Sequence, residues 1–117
     1  MTLGEQQRQF AFLVSQLIQH IYSQGYEVSF GDAYRDPRLH GQLGEKRGYG
    51  SRNSNHKRRL AVDLNLFKDG HYLSDGEAHR PFAEFWESLH PRCRSGIRFN
   101  DANHYEFLTY DWRKSNG

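Results

Sequence analysis

The sequence predicts an α+β domain, a small antiparallel sheet with flanking helices. Three observations carry that expectation. Apolar residues recur at three- and four-residue steps in two stretches, they alternate at two-residue steps in others, and the strand-like stretches are mostly joined as hairpins. At 117 residues the chain fits a single domain, 1–117, large enough for a real core.

The first stretch runs Phe10, Leu13, Val14, Leu17, Ile18, Ile21 and Tyr22, the stripe of an amphipathic helix. Thr2 and Glu5 have capping-box spacing before it, and Gly25 is a suitable stop. "YEVSF" then alternates Tyr26, Val28 and Phe30 as a strand leading into "GDAYRDP". Residues 36 to 55 hold Gly41, Gly44, Gly48 and Gly50 among Arg and Lys, which reads as a long loop, and long loops inside compact domains are usually functional or disordered. In "LAVDLNLF", Leu60, Val62, Leu64 and Leu66 share one face and Ala61, Asp63 and Asn65 the other. "KDG" makes a turn. Phe82, Phe85, Trp86 and Leu89 mark a second amphipathic helix, halted at Pro91. "GIRF" and "HYEFL" read as two short strands around a turn at Asn100 to Asn103.

Composition narrows the function classes. A 15% share of Phe, Tyr and Trp argues against a disordered chain. The net charge of +2 is too small to indicate a nucleic-acid partner, so none is expected. No apolar run approaches transmembrane length, so membrane insertion is not expected either. The N-terminus "MTLGEQQRQFAF" lacks a basic leader followed by an apolar core, which points to synthesis in the cytoplasm without a signal peptide. A single cysteine, Cys93, rules out an intrachain disulfide and a thiolate-rich zinc site, and it reads as an ordinary thiol. Seven histidines keep imidazole-based metal binding open.

The chemistry-bearing residues fall in "SNHKRRLAVDLNLF" and "NDANHYEF". Asp63 lies on the strand face away from the leucines, and His104 shares a face with Glu106 on the last strand. If the two strands pair, Asp63 and His104 project from one surface, and His56 at the mouth of the first strand can fold back towards them. Two imidazoles and one carboxylate are a three-ligand set that suits catalytic zinc, with one position left open. Asp101, three residues before His104, is placed to carry a proton beside that metal. Glu106 can orient a ligand or belong to a solvated face. His71 is the best reserve ligand, and Lys57, Arg58 and Arg59 read as a solvated charge cluster that can also attract an acidic polymer.

These residues resemble the zinc D-alanyl-D-alanine carboxypeptidase and L-alanyl-D-glutamate endopeptidase family, which includes many phage endolysins. Ser54, His56, Ala61 and Asp63 match its first motif, and Asp101 with His104 matches the second. The resemblance implies zinc on His56, Asp63 and His104, with Asp101 as catalytic base. It also implies substrate contacts from Arg35, in "AYR", and from Ser54. The implied substrate is the peptide stem of bacterial peptidoglycan, reached after release from the cell by another lysis protein. The resemblance spans roughly residues 33 to 107 and departs from the family at Arg59, where Gly is often found, at His40, where Gln is usual, and in the short segment between Trp86 and Asp101. Two other readings stay open on the residues alone. One is a metal-dependent nuclease, with Arg52 and Lys57 to Arg59 gripping phosphates. The other is an inactive binding module that keeps the metal.

Overall fold

The computed structural model describes residues 1–31 and 55–114. Helix α1 (Leu3–Ser23) starts at the expected cap. The Glu5 N–H donates to the Thr2 hydroxyl at 3.1 Å, and the Thr2 N–H donates to the Glu5 carboxylate at 2.8 Å. This reciprocal pair satisfies two amides that the helix itself cannot. Phe10, Leu13, Leu17 and Ile21 form the buried stripe, while Tyr22 is exposed. The chain leaves the helix through Gly25, whose φ of +87° is cheap only for glycine.

Strand β1 (Glu27–Phe30) pairs antiparallel with β2 (Ala61–Lys68), setting Val28 opposite Leu66. The alternation of β2 is kept: Leu60, Val62, Leu64 and Leu66 are all buried in the core. Asp69 and Gly70 both have positive φ, 52° and 78°, so the "KDG" turn is a tight hairpin turn. It returns the chain as β3 (His71–Tyr72), a two-residue strand on the end of β2 that the sequence reading had left out.

A 3-10 turn (Gly76–His79) leads into helix α2 (Arg80–Leu89), with Pro81 in the first turn, where its missing N–H costs nothing. Phe82, Ala83 and Trp86 are its buried face. Phe10 of α1 meets Trp86 edge to face at 5.8 Å, joining the helices over the sheet.

The strand after α2 is β4 (Cys93–Ser95), and "GIRF" is a 3-10 helix (Gly96–Phe99). The Ser95 hydroxyl accepts the Ile97 N–H at 3.2 Å and starts the turn, and Asn100 ends it in the left-handed region at φ 59°. Local side-chain capping thus overrides the apolar alternation. Strand β5 (His104–Phe107) then inserts between β2 and β4, giving the sheet order β1-β2-β5-β4 with β3 beside β2. The result is the expected α+β arrangement of two helices and a small antiparallel sheet among the described residues. No helix among them is long and apolar enough to cross a membrane.

Candidate metal centre

The β2–β5 register sets Asp63 directly opposite His104. Opposed residues of an antiparallel pair share a face, so both side chains leave the sheet together, away from the leucines. His56 reaches them from a tight turn just before β2. The Asn55 carbonyl accepts the N–H groups of Arg58, at 3.1 Å, and Leu60, at 2.8 Å, and Arg59 takes φ +59°. Gln7 of α1 donates its side-chain amide to the Arg58 carbonyl at 2.9 Å, tying the turn to the helix. Folded back in this way, His56 is 1% exposed.

Three atoms converge: His56 Nε2, Asp63 Oδ1 and His104 Nδ1. They are 3.2 Å apart from His56 to Asp63, 3.2 Å from His56 to His104 and 3.3 Å from His104 to Asp63. A tetrahedral ion with bonds of about 2.0–2.1 Å needs its ligand atoms about 3.3 Å apart. This buried group can therefore hold a metal ion. It offers three ligand atoms, so a tetrahedral ion would keep one position for water or substrate.

Without a metal the same atoms form a charge cluster. Burial works against ionising Asp63, but hydrogen bonds from His104 and His56 outweigh it and bring its pKa down to about 2. Burial also opposes charging His104, yet its hydrogen bonds to Asp63 and Glu106 raise its pKa to about 9. Glu106 is buried and lies 3.1 Å from the far ring nitrogen, His104 Nε2. Despite burial its carboxyl is held below the ordinary range by His104 and Arg94. The solvated-face reading of Glu106 is thereby set aside.

Asp101 sits in the turn before β5, half exposed, with Oδ2 3.9 Å from His104 Nδ1. It stands beside the triangle rather than within it. Gly96 allows this turn to close: a Cβ there would lie 2.1 Å from the Asp101 carbonyl oxygen and 2.8 Å from His104 Cβ. Asp101 also lines a groove of about 470 Å³, together with Ser74, Asp75, His79, Asn100 and Asn103. On the other side, the Gly31 N–H donates to the Asp63 carbonyl at 2.8 Å, and a Cβ on Gly31 would meet Asp63 Cβ at 3.2 Å.

His56, Asp63, His104 and Asp101 are thus brought together, whereas Arg35, Ser54, His40 and Arg52 lie outside the described residues. His71 is exposed on β3 and does not join the group. Of the basic run, Lys57 is buried, Arg58 half-buried and Arg59 exposed, so it is not one solvated cluster. Cys93 is fully buried, and burial pushes its thiol up to about 12, which keeps it unreactive. The sequence reading missed Asn55, Arg94, Gly31 and Gly96. For Gly96 a signal existed, a glycine opening the "GIRF" stretch a few residues before Asp-x-x-His, a position that can mark a close approach of backbone. No protein-family model and no curated protein matches the chain.

Proposed function

We propose that the protein is a zinc metallopeptidase that hydrolyses the peptide stems of bacterial peptidoglycan. Its activity would be that of an endolysin-type L-alanyl-D-glutamate endopeptidase or a DD-carboxypeptidase. The observation that carries this reading is the convergence of two imidazoles and a carboxylate, with the separate Asp101 carboxylate beside them and facing a neighbouring groove. The nitrogen and oxygen donors and their tetrahedral spacing suit zinc, which when bound would supply Lewis acidity at neutral pH.

The rest of the chemistry falls to the chain. His56, Asp63 and His104 would hold the ion. Asp101, exposed and outside the ligand set, would take the proton from the attacking water and return it to the leaving amine. The groove mixes polar side chains with Leu73, Ile97 and Ala102, includes Asp101 in its wall and is large enough to hold a short peptide segment. Arg35 and Ser54 would hold the substrate, as the family resemblance implies, Arg35 through the bidentate geometry that guanidinium offers a carboxylate.

The test is digestion of purified peptidoglycan by native, chelator-treated and zinc-restored protein, with the products identified by mass spectrometry. Chelator-sensitive release of stem-peptide fragments is expected, and the new termini identify the bond cut. No release from several wall types by zinc-loaded protein would remove the peptidase reading. Metal-dependent cleavage of plasmid or RNA in its place would establish a nuclease.

A further inference from the structure

Glu106 lies two residues from His104 on β5, so both side chains leave the strand on the same face. A carboxylate that is 5% exposed needs partners for its charge, and two of those found here, His104 and Asn55, lead to the candidate metal ligands. Oε1 lies 3.1 Å from His104 Nε2 and accepts the Asn55 side-chain amide, also at 3.1 Å. Oε2 accepts Arg94 Nε at 2.6 Å and lies 2.6 Å from its terminal nitrogen. Above these contacts, the Glu106 carbonyl accepts the Trp86 indole N–H at 3.1 Å, which anchors this point of β5 to α2.

Two consequences follow for the ligands. When a metal replaces the Nδ1 proton, the proton on Nε2 stays and is donated to Glu106, so Glu106 fixes Nδ1, the atom facing Asp63 and His56, as the ligating nitrogen. The same Glu106 oxygen grips Asn55, whose backbone carbonyl closes the turn that presents His56. One carboxylate therefore reaches two ligands that are 48 positions apart in the chain. Arg94 occupies the other oxygen and holds the carboxylate in that orientation.

We propose that Glu106 is a positioning residue of the metal centre, selecting the metal-ready tautomer of His104 and, through Asn55, holding the His56 turn against it. This rests on the metal-holding reading of the triad and is independent of which bond, if any, is hydrolysed.

Zinc affinity, measured by competition with a chromophoric chelator, tests it on the unaltered protein, Glu106→Gln and Glu106→Asp. The melting temperature of each metal-free protein is recorded alongside. Glu106→Gln is expected to bind zinc about 10- to 100-fold more weakly. Glu106→Asp keeps the charge but withdraws it, and should fall between. A merely structural role would lower the melting temperature and leave the affinity of the folded variants within twofold of the original, which overturns the proposal. Should Glu106→Gln not fold, Glu106→Asp decides by the same criterion. Failure of the unaltered protein to bind zinc would remove the metal reading and this inference together, whereas equal binding by all three removes this inference alone.

Discussion

Asp63 and His104 occupy one register pair of the β2–β5 ladder, and their side chains meet at 3.3 Å. A one-residue slip of either strand would turn its ligand into the leucine core and replace it with an apolar neighbour. The candidate metal centre and the sheet are therefore specified by the same pairing, so metal binding should report on folding.

Zinc is expected to raise the melting temperature, because it binds the folded chain and finds no assembled site in the unfolded one. At a hundredfold excess over Kd the gain is about 2.7 kcal/mol. Asp63→Ala should abolish most of that gain, since only the two imidazoles remain. Calorimetry with and without zinc checks this, and an equal shift in the variant would place the metal elsewhere.

Asp101→Ala should separate binding from chemistry. Its carboxylate lies outside the ligand triangle, so zinc affinity should be unchanged, while turnover of peptidoglycan fragments falls about 10²- to 10⁴-fold. Zinc lost together with activity would make Asp101 a ligand rather than a proton carrier.

Gly96→Ala introduces a methyl group where only 2.1 Å separates it from the Asp101 carbonyl oxygen. The neighbour is backbone, so relief requires moving the turn that carries Asp101 and His104. A loss of about 1–3 kcal/mol is expected, of the size seen for overpacked cores. Zinc affinity should fall as well. Urea unfolding and chelator competition test both parts, and a variant that keeps its stability and affinity would contradict this packing.

His79 gives a pH dependence that is separate from the ligand set. It is buried, its Nδ1 lies 2.8 Å from the Tyr105 hydroxyl, and burial lowers its pKa from 6.5 to about 4. As pH falls below 6.5 the unfolded chain takes up the proton first, so this contribution to stability is full above pH 6.5 and is lost towards pH 4. The total is about 3 kcal/mol. His79→Gln keeps an acceptor for the hydroxyl and does not titrate. The stability gap between original and variant should therefore shrink from pH 7 to pH 5 in urea titrations. A constant gap would show that His79 is not held neutral.

Much of the site could be read in the chain because its signals are local. Thr2 and Glu5 announce the start of α1, the β2 leucines assign Asp63 to the other face, and Phe82 and Trp86 mark α2. The "GIRF" stretch was misread because Ser95 and Asn100 cap a 3-10 turn there, an effect that apolar alternation does not register. Glu106 was undecided for a different reason. Whether its face is wet or buried depends on β4 and on the Asn55 turn packing beside it, and on Arg94, Asn55 and His104 all reaching its carboxylate.

Most element types, the inward and outward faces of the helices and of β2, and the candidate donors are legible in the chain alone, the "GIRF" turn and β3 excepted. Those follow from periods of 3.6 and 2 residues and from side-chain chemistry, all properties of neighbours in the chain. Only the folded arrangement brings His56, Asp63 and His104 within 3.3 Å, with Asp101 beside them and Glu106 on the far side of His104. That meeting depends on which strands pair and in what register, and non-local pairing is set by burying the common core rather than by any short stretch of residues.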